Sequence, residues 1–128
     1  MRAFKTKLFS KWAVKEGLSD KALLEAIDEM EQGLIDANLG GHVYKKRVAI
    51  QGRGKSGGVR TLLAYKVANK AFFIYGFAKN VRSNIEDKEL KALKLYASLL
   101  LQYNDGELKQ AIKDGVLVAI ESCDKKLR

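Results

Sequence analysis

Residues 44–60 read Tyr-Lys-Lys-Arg-Val-Ala-Ile-Gln-Gly-Arg-Gly-Lys-Ser-Gly-Gly-Val-Arg. A run suited to a strand lies on each side of a glycine-rich turn, a pattern typical of antiparallel strands joined by a long loop. The pattern continues in residues 59–67 and 71–77, which are rich in β-branched or aromatic residues and are separated by the turn pair Asn69-Lys70. The sequence therefore predicts three antiparallel strands over residues 44–50, 59–67 and 71–77.

Strand alternation predicts which side chains share a face. Residues two apart in a strand point to the same side, so Lys45 and Arg47 are expected to point together and Lys46 to point away. The same rule divides the last strand into two sets, one on each face, namely Phe73, Tyr75 and Phe77 against Phe72 and Ile74. Because helices are expected on the sheet, we expect at least one of these sets to be core.

Helical patterns flank the strands on both sides. Apolar residues at helical spacing predict a helix over residues 19–35 with Ser19 or Asp20 as its N-cap, and a shorter helix ending at Gly17 precedes it. Together they predict a helical hairpin over residues 7–35. After the strands, an apolar stripe predicts a helix reaching Tyr103, followed by a short helix over 107–113 and an edge strand over 116–120. We therefore predict an α+β fold, with the N-terminal helical hairpin packed on a small antiparallel sheet and helices at the C-terminal end.

Composition limits the classes of protein that remain. With 128 residues, 47% of them hydrophobic, no Pro and no internal repeat, the chain is predicted to form one domain over residues 1–128. The lone cysteine, Cys123, excludes an internal disulfide, and no Cys/His cluster exists to hold zinc. The charged opening residues do not lead into a long apolar stretch, so we expect a cytoplasmic protein without a membrane anchor.

The positive charge is concentrated in the predicted strands. Residues 37–85 contain ten Lys and Arg and no acidic residue. By contrast, the net charge of residues 1–36 is −1 and that of residues 86–128 is zero. Six of these cations lie within residues 45–60, where their mutual repulsion must cost stability: Lys45, Lys46, Arg47, Arg53, Lys55 and Arg60. The pattern predicts that an anion binds here.

Two nucleotide-binding motifs are matched only formally. Residues 52–57 fit G-x-G-x-x-G, but a strand-like run follows instead of a helix, and the next acidic residue is Glu86 rather than one about 20 positions on. Residues 49–56 nearly fit a P-loop, but Ala49 replaces its first glycine. His42 is the only histidine, which excludes a two-histidine ribonuclease mechanism. It follows two glycines and is expected to be an ordinary surface loop residue, so a catalytic triad and a histidine metal site are not predicted either. Any chemistry must therefore be done by cations.

These residues resemble the RelE/HigB superfamily of toxins from type II toxin–antitoxin modules, and its HigB-like branch in particular. The resemblance rests on the helical start, the stretch 44–60 and the strand ending Ile74-Tyr-Gly-Phe-Ala-Lys-Asn80, and it covers about residues 1–103. It implies a microbial RNase-like α+β fold and cleavage of mRNA in the ribosomal decoding site, with no cofactor. Residues 104–128 would then be a C-terminal extension of the single domain.

The resemblance also implies a set of site residues. The basic residues of the family's central strand match Lys45 or Lys46 together with Arg47, the arginine after its glycine turn matches Arg60, and the basic residue that ends its next strand matches Lys79. The predicted catalytic set that follows is Lys45, Arg47, Arg60 and Lys79. Neighbouring residues form the predicted RNA-binding set, Lys46, Arg53, Lys55, Asn80 and Arg82. No metal ligand is implied. One departure is that residues 85–87, Ile-Glu-Asp, stand where some members carry a tyrosine.

Crowded cations suit RNA cleavage by the substrate's own 2′-hydroxyl. Like charges disfavour a protonated lysine, so Lys45, Lys46 or Lys79 could act as the general base. Arg60 would stay charged and hold the phosphate through its planar fork, with Arg47 or Arg53 as a second clamp.

Partners follow from the same resemblance. They are a cognate antitoxin, expected to be a small helix-turn-helix protein that covers or distorts the basic groove, and mRNA on the ribosome. Two alternatives stay open, a non-catalytic domain that binds nucleic acid or a protein partner, and a gyrase-targeting toxin similar to ParE.

Overall fold

The structure, a computed structural model, describes residues 1–50, 54–66, 69–82 and 84–120. In chain order the elements of these residues are β1 (Arg2–Thr6), α1 (Lys7–Glu16), α2 (Asp20–Glu31), β2 (Ala37–Asn38), β3 (Val43–Ile50), β4 (Gly54–Lys66), β5 (Lys70–Ala78), α3 (Asp87–Leu101), α4 (Asp105–Lys113) and β6 (Leu117–Ile120). The strands form one sheet with the order β2-β3-β4-β5-β1-β6. No helix in these ranges is long and apolar enough to cross a membrane.

The predicted α+β class is confirmed, but the predicted N-terminal arrangement is wrong. The chain begins with a strand, β1, and the two predicted helices follow it. β1 pairs in parallel with β5 and antiparallel with β6, so the sheet is larger than predicted and mixed rather than antiparallel. Local sequence does not reveal β1, because two of its five residues are basic and the strand is stabilised by long-range pairing on both edges.

The predicted helix boundaries mostly hold. The Thr6 side chain caps α1 by accepting a hydrogen bond from the Phe9 amide, and Gly17, at φ 75°, ends the helix in the left-handed conformation that glycine favours. Ser19 caps α2 as predicted. α2 ends at Glu31, earlier than the predicted residue 35, and a turn with Gly33 at φ 92° follows.

The three predicted strands are confirmed as β3, β4 and β5, which pair antiparallel. β4 begins at Gly54, inside the glycine-rich stretch, so the strand is longer than predicted. Asn69 lies in a turn and Lys70 already begins β5. The predicted edge strand is also confirmed, since β6 lies at the end of the sheet.

Both faces of the sheet carry hydrophobic core. The first face packs under α1 and α2, with Phe9, Leu23, Val59 and Phe73 among its buried residues. The second face packs under α3 and α4, and its buried residues include Phe4, Ala64, Phe72, Ile74, Leu100 and Leu108. This second face continues along β4 and β5 beyond the helix-covered cluster, towards Arg60 and Phe77.

The described part of residues 104–128 belongs to this packing. Asn104 caps α4 in a reciprocal capping box with Glu107. Leu108 of α4 and Leu117 of β6 are fully buried on the second face. Cys123 lies outside the described residues.

Gly76 permits close packing of α1 on the sheet. A Cβ at this position of β5 would overlap the Trp12 ring, which packs directly on the backbone there. We expect Gly76→Ala to lower the free energy of unfolding by about 1–3 kcal/mol, because the large ring cannot move without disturbing the core. Chemical denaturation measures the change. Gly106→Ala is the control, since its Cβ would meet only the Asn104 side chain at 3.4 Å, and equal losses in both variants would contradict this packing.

Candidate functional site

Register places three of the four predicted catalytic residues on one face of the sheet. Arg47 of β3 pairs with Arg60 of β4, and Lys45 lies two residues before Arg47, so all three side chains share the second face. We call Lys45, Arg47 and Arg60 the cationic face. Arg60 in turn pairs with Phe77 of β5, so that Arg47, Arg60 and Phe77 form one row across three strands.

Arg60 is the least compensated residue of this face. Its Nη1 is buried and has no hydrogen-bond partner among the residues that the structure describes. A buried donor left unpaired costs about 1–3 kcal/mol, and its cross-strand neighbour Arg47 carries the same charge, which is also destabilising. An anion bound at this row would supply the missing acceptor and relieve the repulsion.

Arg47 is oriented by a carboxylate that the sequence analysis missed. Asp36 accepts hydrogen bonds from the Arg47 amide at 2.7 Å and from its Nε at 3.1 Å. Partial burial acts to raise the pKa of Asp36, but the hydrogen bonds from Arg47 and the charges of Lys46 and Arg47 outweigh it and lower that pKa below its ordinary value. The Arg47 side chain keeps 51% of its surface exposed, so it is held in place and still accessible.

Lys46 points away from the cationic face, as alternation predicts. Its side chain is only 4% exposed, and its Nζ lies 2.8 Å from Glu29 Oε1 of α2 and donates to the Leu34 carbonyl at 3.0 Å. Lys46 therefore links β3 both to α2 and to the turn that follows α2. The structure does not bring it together with Lys45 and Arg47.

Arg82 is held by groups on three sides of its guanidinium. Glu89 of α3 accepts from both terminal nitrogens at 2.6 and 3.0 Å, and the Asn84 carbonyl accepts from Nε at 2.9 Å. Nη1 also donates to the Tyr75 hydroxyl at 3.1 Å, and the guanidinium carbon lies 5.8 Å from the centre of the Phe77 ring. We call Arg82, Glu89 and Tyr75 the Arg82 cluster, which ties the start of α3 to the end of β5.

The Arg82 cluster predicts a specific loss of stability in acid. Hydrogen bonds from Arg82 and from the Glu86 amide lower the pKa of Glu89 from 4.5 to about 2. A lowered pKa in the folded state stabilises the fold at pH values above 4.5, and this stabilisation is lost as pH falls towards 2. We expect Glu89→Gln to show a smaller fall in unfolding free energy than wild type over this range, measured by urea denaturation at several pH values.

Glu107→Gln is the control for that experiment, because Glu107 makes the same capping-box contact in α4 and no ion pair with an arginine is found for it among the described residues. This variant should retain the wild-type acid response. A Glu89→Gln protein with the full wild-type loss would show that the Arg82 pair does not matter to stability.

The remaining predicted residues lie nearby or outside the described ranges. Lys79 and Asn80 are exposed in the turn that follows β5, where the Ala78 carbonyl accepts from the amides of Val81 and Arg82. No ion pair to Lys79 is found within the described ranges. Lys55 belongs to β4, and Arg53 lies outside the described residues.

Carboxylates from outside residues 37–85 compensate part of the charge that the sequence presents as uncompensated. Glu29, Asp36 and Glu89 pair with Lys46, Arg47 and Arg82. Of the four predicted catalytic residues, Lys45, Arg60 and Lys79 have no ion pair within the described part of the chain. The separation of cations from acids along the chain therefore overstates the charge that the folded surface presents.

The side chains of β5 do not simply alternate between the two faces of the sheet. The pairing shifts between Leu62 and Leu63, so that Tyr75 pairs with Leu62 while Phe73 pairs with Leu63 on the opposite face. This bulge separates Phe73, in the first core, from Tyr75 and Phe77, whose rings lie 6.1 Å apart. The predicted set of three aromatic residues on one face is therefore wrong for Phe73.

The chain can be compared with known protein families. Residues 1–120 match a family model described as the RelE toxin of the RelE/RelB toxin–antitoxin system. No curated protein matches the chain. The matched range includes every element from β1 to β6, and it extends beyond the residues whose motifs carried the resemblance. The chain belongs to the RelE toxin family of toxin–antitoxin systems.

Proposed function

We propose that the protein is a ribosome-dependent mRNA endoribonuclease of the HigB-like branch, the toxin of its module. It would act in the cytoplasm as a single domain over residues 1–128. The family supports a toxin. The observation that carries the activity is the buried Nη1 of Arg60, which has no hydrogen-bond partner among the described residues and lies beside the half-exposed Arg47.

The proposed reaction uses the RNA's own nucleophile. The 2′-oxygen attacks phosphorus, the bond from phosphorus to the 5′-oxygen breaks, and the products are a 2′,3′-cyclic phosphate and a 5′-hydroxyl. A base takes the proton of the 2′-hydroxyl, and an acid returns one proton to the leaving 5′-oxygen. Cations aimed at the phosphate oxygens stabilise the charge that develops on the five-coordinate phosphorus.

The geometry supports specific roles in this scheme. Arg60 clamps the phosphate through its planar guanidinium, and Arg47, held by Asp36, is the second clamp. Lys46 is buried against Glu29 on the other face, so the candidates for the general base narrow to Lys45 and Lys79.

The proposed RNA contacts outside the reacting groups are fewer than the sequence suggested. Lys46 and Arg82 are engaged by Glu29 and Glu89, so we assign them to the fold rather than to RNA binding. Lys55, Asn80 and Arg53 stay proposed contacts along the RNA.

The proposed partner is a cognate antitoxin, a small helix-turn-helix protein. It would neutralise the toxin by placing acidic or apolar side chains over the cationic face, since complementary charge guides such complexes. Mutation of Arg60 would then weaken both RNA cleavage and antitoxin binding.

Expression in a bacterial host without antitoxin tests the proposal. We expect growth arrest together with transcripts cut within their translated regions, mapped by their new 5′ ends. Growth arrest with DNA damage and intact transcripts would point to a ParE-like action on gyrase. Salt-dependent RNA binding without any cleavage on translating ribosomes would point to a non-catalytic binding domain.

A further inference from the structure

Tyr75 lies next to the cationic face, in the stretch 74–80 that contributes to the family resemblance. It pairs with Leu62, which in turn pairs with Lys45, so Lys45, Leu62 and Tyr75 form the row beside that of Arg47, Arg60 and Phe77. Tyr75 is therefore the diagonal neighbour of Arg60 on the same face. Such neighbours are separated by about 7–8 Å, which aromatic and long side chains can bridge.

The hydrogen bond from Arg82 leaves the Tyr75 hydroxyl with a proton to donate. A guanidinium has only donors, so the Tyr75 oxygen must accept the 3.1 Å hydrogen bond from Arg82 Nη1. The hydroxyl proton then points elsewhere, and no group among the described residues accepts it. Tyr75 is only partly buried, so an acceptor from a bound molecule can reach it.

The rest of the Arg82 cluster holds the Tyr75 ring and its oxygen in place. Glu89 binds the Arg82 guanidinium at both terminal nitrogens, and the Asn84 carbonyl holds its Nε. The Phe77 ring lies beside both Tyr75 and Arg82. The phenol is therefore anchored through its ring and its oxygen, which reduces the entropy lost when it binds a ligand.

We propose that Tyr75 is a substrate-contacting residue, whose hydroxyl donates a hydrogen bond to a non-bridging oxygen of the phosphodiester clamped by Arg60. Arg82 and Glu89 are positioning residues that act through Tyr75. This inference rests on the proposed endoribonuclease function, and it assigns to the site a neutral donor in addition to its cations. The hydroxyl donates without giving up its proton, so the proton balance of the reaction is unchanged.

Tyr75→Phe tests the contact, since it removes only the hydroxyl and keeps the ring against Phe77. We expect the rate of mRNA cleavage in a translating extract to fall about 10²-fold. The midpoint of urea unfolding should fall only slightly, because Arg82 keeps its contacts with Glu89 and Asn84. Tyr44→Phe is the matched control, because Tyr44 lies in β3 on the opposite face, where it packs edge-on against Tyr65 at 5.4 Å. It should cleave like wild type.

A double-mutant cycle tests the positioning role. If Arg82 acts through the phenol, Arg82→Gln should slow cleavage by the wild-type protein but should have little further effect in the Tyr75→Phe background. A purely structural role for Arg82 would instead slow both proteins by the same factor, and that result would overturn the positioning role.

Two results separate this inference from the proposed function. Wild-type cleavage by Tyr75→Phe together with loss of cleavage in an Arg60 variant would overturn the role of Tyr75 and leave the endoribonuclease proposal intact. Absence of mRNA cleavage by the wild-type protein would overturn both.

Discussion

Arg60→Met should abolish most of the toxicity and leave a protein that is at least as stable as wild type. Loss of one phosphate clamp costs about 10²-fold or more in rate. Stability should hold or rise, because the substitution removes a buried guanidinium nitrogen for which the described part of the chain offers no partner, and it relieves the repulsion from Arg47 across the strand pair. Methionine retains much of the aliphatic volume of the arginine stem. Growth after induction and urea unfolding of the purified variant measure the two effects.

The opposite signs of these effects make the prediction specific. Replacing a residue that serves packing lowers stability. Replacing a residue that binds a ligand at the expense of the fold lowers activity and leaves stability unchanged or higher. Lys66→Met is the control, because this exposed lysine ends the same strand far from the row of Arg47 and Phe77. An Arg60→Met protein that unfolds more easily and still arrests growth would contradict the assignment.

Lys45→Met and Lys46→Met should separate activity from stability in two adjacent residues. Lys46→Met breaks a nearly buried ion pair with Glu29 and removes the donor to the Leu34 carbonyl, so we expect it to lower the free energy of unfolding by about 1–3 kcal/mol. The loss is moderate because the Glu29 side chain keeps a third of its surface exposed. Lys45→Met should leave stability nearly unchanged and lower cleavage at least 10-fold, as expected for a base or a phosphate contact.

Each of these two variants is the control for the other, since the same change is made at neighbouring positions of β3 that face opposite sides of the sheet. The measurements are urea unfolding and cleavage in a translating extract, the latter corrected for the folded fraction. A large activity loss in folded Lys46→Met, or normal activity in Lys45→Met, would contradict the assignment of the reacting groups to the second face.

Strand alternation was sufficient to predict the core of the candidate site. The split of Lys45 and Arg47 from Lys46 depends only on the two-residue period of a strand, and β3 keeps that period between residues 43 and 48. The pairing of Arg47 with Arg60 needed the hairpin register, which the sequence does not specify across a long glycine-rich loop. Gly58 helps to set that register, because a Cβ there would overlap the Val48 carbonyl.

Other features depend on contacts between distant parts of the chain. β1 is a strand because it inserts between β5 and β6, and its own five residues give little sign of it. The bulge at Leu62 and Leu63 changes the face of Tyr75 relative to Phe73, which a fixed period cannot anticipate. The pairing of Arg82 with Glu89 could not be inferred from the acid-free segment alone, because Glu89 lies just outside that segment.

Cleavage of a defined mRNA in a reconstituted translation system is the most direct test of the proposed activity. We expect the wild-type protein to cut only when ribosomes are present, to leave a 2′,3′-cyclic phosphate and a 5′-hydroxyl, and to lose about 10²-fold or more in rate in Arg60→Met. Equal cleavage by wild type and Arg60→Met, or intact mRNA in both, would contradict the proposal that Arg60 grips the scissile phosphate.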